Sequence, residues 1–344
     1  MHQNYFKTFM KMKKVILGCS VLAATALFIT GCNKDKTVAE PVQDTEFQST
    51  KDVIYANTIA ADIEQIAAYM GEGQLLTKYL QPAPGSSGSI PPPVTSGNSI
   101  TVVFSNSVTC RDGKKRDGSI TVVYASSPVS YSANAMRDPG YVATVYLNNF
   151  WQDGWTVSVV DPFIIQNVTV LNYAPGTDKL KWTFKGKLAI NNVADASKNM
   201  TWEGNMTKLL ANSTNSNVLA TSKLLPIAWS STIVANNAKI EYGGSSKGIT
   251  ANGTAYTFSI TEETPLVRDY NCSPDKVLGV NTTTTNPPVV TPVYSEWHPF
   301  VSGVASFTTG SLAPRLVDFG VAGDCDNAVK ITIKGVETPV DLMK

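Results

Sequence analysis

From residue 100 onward, apolar and polar side chains alternate with a period of two. In "DKLKWTFKGKLAIN", Leu180, Trp182, Phe184, Leu188 and Ile190 fall on one side of an extended chain, and Lys179, Lys181, Lys185 and Lys187 fall on the other. One side reads as buried and one as wet, which is the pattern of an antiparallel sheet. The alternation returns in Met200/Trp202/Met206, in Tyr256/Phe258/Ile260 and in Val329/Ile331/Ile333. Turn-forming pairs separate these runs at Asp117-Gly118, Asp153-Gly154, Pro175-Gly176, Gly243-Gly244 and Asn252-Gly253. The spacing predicts an all-β domain over 100–344, a large antiparallel sandwich or a curled sheet of about 12–14 strands.

Upstream the period changes. Asp52 to Met70 carries Ile59, Ile63, Ile66 and Met70 at spacings of 4, 3 and 4, one stripe on a helix. Gly71 and Gly73 end the run, and "QLLTKYL" adds a further turn or two, so the helical segment is placed at 52–80. A small helix packed on its own domain is the reading, with a partner-recognition helix as the alternative. "QPAPGSSGSIPPPVTSGNS", residues 81–99, has the composition of a linker. Residues 32–51 are polar without periodicity and read as a tether.

The first 31 residues have a different organisation. Lys7, Lys11, Lys13 and Lys14 form a positive start, and Val15 to Ile29 form an apolar run with the proportions of a secretory signal. The run is short for a membrane span. It closes on Ile29-Thr30-Gly31-Cys32, which resembles the bacterial lipobox, where the cysteine thiol is acylated and the chain is cut before it. Ile16-Leu17-Gly18-Cys19 is a poorer candidate because it follows the basic start too closely. Translation from Met10 or Met12 would already supply a complete signal. Two acyl chains hold a protein stably on a membrane, so Cys32 is assigned as the lipidation site. Asn33, rather than an Asp, follows the cysteine and favours the outer membrane. "NKDK" is a faint match to the surface-export tags of Bacteroidota lipoproteins.

Charge narrows the partners. The whole chain carries a formal net charge of +1. Removing residues 1–31 takes away four lysines and no acid, leaving 24 basic against 27 acidic residues, a net −3. No basic excess remains to neutralise phosphates, so a nucleic-acid partner is not expected. Only 16% of residues are charged, the balance of a β-rich extracytoplasmic protein. Cys32, Cys110, Cys272 and Cys325 survive processing without a Cys-x-x-Cys spacing, and His298 is the one histidine that does.

The chemical motifs are weak. Gly244-Ser245-Ser246-Lys247-Gly248 matches Gly-x-Ser-x-Gly, but a hydrolase elbow needs a strand before it, a helix after it and a histidine base. A hairpin turn between two strands is the expectation. Ser273-Pro-Asp-Lys276 matches Ser-x-x-Lys without the companion signatures. Asp318, Asp324, Asp326 and Asn327 supply oxygen ligands of the kind calcium takes, but their spacing follows no established loop motif, so a solvated, hydrogen-bonding turn is the first reading and calcium the alternative. "CRDGKKRDG" places Arg111, Lys114, Lys115 and Arg116 in one loop, read as a solvated turn, with a grip on lipid phosphate or acidic glycan as the alternative. "YVATVYLNNFWQDGWTV" gathers Tyr141, Tyr146, Phe150, Trp151 and Trp155 around a hairpin turn. Core packing is the first reading, and sugar stacking the second.

A fragment recurs: "VVFSNSVTC" sets Cys110 six residues after Phe104, and "VDFGVAGDC" sets Cys325 six after Phe319. Two related halves of a sheet and simple coincidence both explain it. "FVSGVASFTTGSLAPRLVDFGVAGDCDNAVKITIKG" and "SSKGITANGTAYTFSITEETPLVRDYNC" resemble the C-terminal half of a group of Bacteroidota cell-envelope lipoproteins. In that group a Cys/Asp-Phe-Gly/Cys-Asp-Asn pattern closes the chain. The resemblance covers roughly 100–343 and implies an envelope location and a β fold, with no activity attached. A Thr/Pro-rich insert between Cys272 and Phe300 departs from the pattern.

"HPFVSGVASF" and "PRLVDFG" read as a hairpin turning near Gly310 and Ser311. With residues 273–297 looped out, Cys272 would return to the open end beside Cys325, which makes Cys272–Cys325 the favoured disulfide and Cys110 a free buried thiol. Cys110–Cys325 and no bridge at all remain alternatives. Taken together, the sequence predicts an outer-membrane lipoprotein whose β domain binds or scaffolds, with no catalytic residues and no cofactor. Its partners are the membrane through the lipid, and glycan or other envelope proteins. The rival classes are a glycan-binding accessory of nutrient uptake, a fimbrial or adhesin-type subunit, and a lone-carboxylate hydrolase.

Overall fold

The computed structural model describes residues 44–71, 80–125, 136, 139–169, 180–210, 239–269, 277–282, 290–294, 300–320 and 326–342. Residues 44–344 belong to one compact unit. Among the described residues, one helix, α1 (Gln48–Gly71), precedes sixteen strands. The first nine are β1 (Val94–Ser96), β2 (Ser99–Thr109), β3 (Lys115–Tyr124), β4 (Val142–Gln152), β5 (Trp155–Asn167), β6 (Lys181–Asn192), β7 (Met200–Leu210), β8 (Lys239–Ile249) and β9 (Ala255–Ile260). Each pairs antiparallel with the next. After β10 (Leu266–Asp269), which pairs with β8, the chain makes a separate hairpin, β11 (Val277–Thr282) and β12 (Val290–Tyr294). It then returns as β13 (Val304–Thr309) beside β9 and ends with β14 (Arg315–Asp318), β15 (Ala328–Ile333) and β16 (Val336–Asp341).

Fourteen strands thus form one antiparallel sheet with β1 and β16 as its ends. One unclosed antiparallel sheet of this size is the predicted all-β class, a large sandwich or curled sheet. Twisted open sheets of more than about ten strands curl, split into packed layers or flatten, and here the strands have a helix to pack on. All but three residues of α1 (Gln48, Lys51 and Tyr55) are buried. The helix residues and the inward side chains of the strands make one core cluster. The expected single stripe is therefore only part of the contact surface. Val53, Ala60, Ala67 and Ala68, on other sides of the helix, are as buried as Ile59 and Ile63. A helix covered all round is an interior element, and its five alanines let backbone and sheet approach closely. Each buried isoleucine contributes about 1.5–3 kcal/mol.

The alternation read from sequence holds in detail. Leu180, Trp182, Phe184, Leu188 and Ile190 are buried, and Lys181 and Lys185 are exposed. Met200, Trp202, Met206, Tyr256, Phe258, Ile260, Val329, Ile331 and Ile333 all face the core. Gly204 makes room for this packing: a Cβ there would meet the indole of Trp202, which lies across the strand.

Several boundaries move. The helix begins at Gln48 rather than residue 52, capped where the Glu46 carboxylate accepts the Ser49 amide at 2.9 Å. Residues 44–47 are therefore part of the domain rather than tether. The Pro/Gly/Ser stretch 81–99 is not a free linker. Pro82 bridges to Cys110 and Ser89 to Ser105, and Val94–Ser96 is already a strand. Gly88 passes so close that a Cβ would fall 2.5 Å from the Ser105 carbonyl oxygen. Asp153-Gly154 and Asn252-Gly253 are hairpin turns as expected, but Asp117-Gly118 and Gly243-Gly244 lie inside strands. Gly118 (φ +83°) lies where both neighbours, β2 and β4, bulge against β3, and Gly244 (φ +103°) sits where β8 exchanges β10 for β9 as its partner. Glycine inside a strand signals such irregularities as well as turns.

Candidate binding sites

Four basic side chains are buried on the inward phase of their strands: Lys208, Arg116, Arg315 and, on β10, Arg268. The first three each meet an acid from α1 or from the segment before it. On β7, Lys208 places its ammonium 3.0 and 3.1 Å from the two Glu64 carboxylate oxygens, with both side chains fully buried. The same ammonium lies 5.8 Å from the centre of the Trp182 ring. On β3, Arg116 donates to Asp62 at 2.7 Å and to both oxygens of Asp112, and Lys114 reaches Asp62 at 3.1 Å. Burial alone would raise the Asp62 pKa, but Arg116 and Lys114 outweigh it and hold the carboxyl below its usual range. On β14, Arg315 donates to Asp44 and to the carbonyls of Ala313 and Glu46. Between these pairs, Asn57 of α1 accepts from the Trp202 indole at 2.9 Å and from the Ser246 hydroxyl at 2.8 Å.

This corrects the reading of the basic loop. Residues 110–114 do form the β2–β3 turn, but Arg116 turns inward and is fully buried, and Lys114 closes on Asp62. Neither a solvated basic turn nor a four-cation grip describes it. Sequence reasoning missed these three paired bases, although the period of two contained the signal. Arg116 shares a phase with Ile120 and Val122, Lys208 with Trp202 and Met206, and Arg315 with Val317 and Phe319. A base on the apolar phase needs a buried acid, and Asp44, Asp62 and Glu64 stand in the helical segment or just ahead of it.

Two depressions offer room for a ligand. The first is a trough of about 810 Å³ on the outward face of β5–β9 and β13. It is lined by Lys185, Lys187, Glu203, Asn205 and Lys247, and by cross-strand pairs Ser259–Ser306 (2.8 Å) and Thr257–Thr308 (2.7 Å). Glu203 accepts from Lys247 at 3.0 Å and lies 3.8 Å from Lys187. The second is a cavity of about 680 Å³ at the rim where α1 begins, between the β4–β5, β6–β7 and β8–β9 turns. Gln48 and Asp52 of α1 line it together with Trp155, Asn192, Lys198 and Asn252. Asp52 accepts from Gln48 Nε2 at 2.8 Å and from the Ala251 amide at 3.0 Å. Burial raises its pKa despite those two bonds.

The aromatic group divides by phase. Tyr141 and Phe150 are in the core, and Tyr146 points outward. Trp155 is half-buried, packs on Tyr55 at 5.9 Å between ring centres and lines the rim cavity. Gly244 to Gly248 is the interior of β8 rather than a hairpin turn, and Ser246 is engaged with Asn57. Asp318 and Asp326 accept from the Gly320 and Ala328 amides as turn residues do. Asp324 lies outside the described residues, and among those described no three His, Cys, Asp or Glu side chains gather as a metal site. Cys110 is a free, buried thiol whose pKa burial pushes up to about 11. Cys32, Cys272, Cys325, His298, Ser273 and Lys276 also lie outside the described residues. No protein family, curated protein or solved structure matches the chain.

Proposed function

We propose that the chain is a lipoprotein held on the outer membrane by acyl groups on Cys32, and that its β domain binds or scaffolds rather than catalyses. The location rests on the lipobox. Among the described residues no helix is long and apolar enough to cross a membrane, and a lipid anchor needs none. One observation carries the binding half. Lys208, Arg116 and Arg315 are paired with Glu64, Asp62 and Asp44 across the helix–sheet contact, while side chains with hydrogen-bonding capacity to spare surround the rim cavity and the outward trough. Ion pairs so enclosed hold structure, and open polar depressions hold ligands. Cys32→Ser tests the anchor: the protein should move from the membrane to the soluble fraction and lose labelled palmitate. Unchanged labelling and fractionation would overturn it. Of the rival classes, glycan binding has the support of one specific observation, the half-buried Trp155 on the wall of the rim cavity.

A further inference from the structure

We propose that the rim cavity beside Trp155 is a saccharide site that takes a neutral sugar ring. The proposal rests on the binding reading above and is independent of the lipid anchor. A pyranose has apolar C–H faces edged by hydroxyls that both donate and accept, so its site needs a flat ring ringed by spare donors and acceptors.

The cavity supplies both. Trp155 lines it while Tyr55 packs on the same ring. That contact limits the rotamers of the indole, so a stacked ligand orders little that is not already ordered. Asn192 uses its carbonyl oxygen on the Ala194 and Asp195 amides, which leaves its NH₂ without an acceptor among the described residues. Gln48 donates to Asp52 through Nε2 and has its carbonyl oxygen left to accept. Asp52 uses one lone pair of each oxygen and has others remaining, and its orientation is fixed from both sides. Lys198 adds an ammonium whose charge Asp195 offsets at 3.8 Å. Donors and acceptors are mixed, and with Lys198 offset by Asp195 no spare cation among the described residues faces the cavity, which suits a polyol better than an anion. The volume of about 680 Å³ lies within the range of small-molecule sites, about 300–1,000 Å³. The outward trough lacks the ring: Phe258 and Phe307 reach its floor only as backbone, with side chains buried in the core. Three hairpin turns on a continuous sheet frame the cavity, an arrangement that places binding groups of loops on a rigid base.

The test is calorimetric titration of the full chain in a sugar-free detergent. The probes are short oligomers of glucose, xylose, mannose and N-acetylglucosamine, with polygalacturonate as the anionic comparison. At least one neutral oligomer should bind. Trp155→Ala should weaken it about tenfold, Gln48→Ala about threefold, and Tyr146→Ala, on the outward face, not at all. If Trp155→Ala disturbs the fold, Trp155→Phe and Gln48→Ala decide. The proposal is overturned if no neutral oligomer binds at about 10 mM, if polygalacturonate alone binds, or if Trp155 and Gln48 variants bind as the parent does. Those results would leave the Cys32 fractionation result untouched, so the two readings fail separately.

Discussion

The two faces of the sheet each carry a lysine–glutamate contact at 3.0 Å, Lys208–Glu64 inside and Lys247–Glu203 outside. Chemistry and distance are the same, and only the surroundings differ. The inner pair is fully buried; the outer side chains are 63% and 43% exposed. Inside, both charges have lost their water, so each depends on the other and on the few groups the fold places beside it. Outside, water and Lys187 stand ready as substitutes for either partner. The inner pairs also recur along α1, with Asp44 ahead of the helix at Arg315, Asp62 at Arg116 and Glu64 at Lys208. Together they can be satisfied in only one rotation and depth of the helix. An apolar helix and an apolar sheet alone would permit several.

The comparison breaks most sharply at Glu64. Replacing it with Leu leaves the Lys208 ammonium in the core without its carboxylate, and the expected loss is about 3–5 kcal/mol of unfolding free energy. Chemical denaturation with tryptophan fluorescence measures it. The double variant Glu64→Leu/Lys208→Met should recover most of that loss, because the pair's desolvation disappears together with its attraction. A double variant as unstable as the single one would mean that the pair adds stability outright.

A smaller effect, about 2 kcal/mol at neutral pH, is expected for Asp62→Asn, since Arg116 keeps Asp112 as a charged partner. Its sharper signature is in pH. The folded Asp62 carboxyl titrates below its usual range, so its stabilisation is fully present above the unfolded value near pH 4 and is lost as the pH falls further. Asp52 shifts the other way: its raised folded value means a contribution present below about pH 4 that is lost as the pH rises through it. Denaturation midpoints between about pH 3 and 6 should therefore show the parent's advantage over Asp62→Asn shrinking toward acid. Over the same range the parent's standing against Asp52→Asn should improve toward acid. Slopes of the same sign for both variants would contradict the opposed environments of these two carboxyls on one helix.

The contrast between faces also explains what the sequence made legible. Wherever a strand keeps strict alternation, as in β6, β7, β9 and β15, the buried face could be named residue by residue. Period two depends only on backbone geometry. The helix was equally visible through Ile59, Ile63, Ile66 and Met70, but its central position was not. Much of the rest of its surface is alanine and polar residues, and a polar residue such as Glu64 reads as exposed unless its partner is known. Lys208 is the other half of the same blindness. Composition also misled at 81–99, where Pro82 and Ser89 join the sheet through backbone bonds that need no particular side chain. Among the groups around the rim cavity, Trp155 alone stood out in the sequence. Asp52, Asn192 and Asn252 are brought to it by the helix start and two separate turns, a convergence that the fold creates and no local pattern shows.

The smallest effect belongs on the outer face and completes the contrast. Glu203→Gln removes the acid that Lys187 and Lys247 share, in a place where both lysines remain hydrated. The two lysines hold the Glu203 carboxyl below its ordinary range, Lys247 and its contact at 3.0 Å most of all. Salt screens such a contact, and a glutamine of the same shape keeps the outward row intact. Its denaturation midpoint should therefore coincide with the parent's in both low and high salt. A clear drop in Glu203→Gln, abolished by salt, would show that the outer charges do support the sheet, and the division between faces would have to be redrawn. A coincident midpoint, set against the collapse expected for Glu64→Leu, would show that the strand phase on which a charge falls decides whether it is structural.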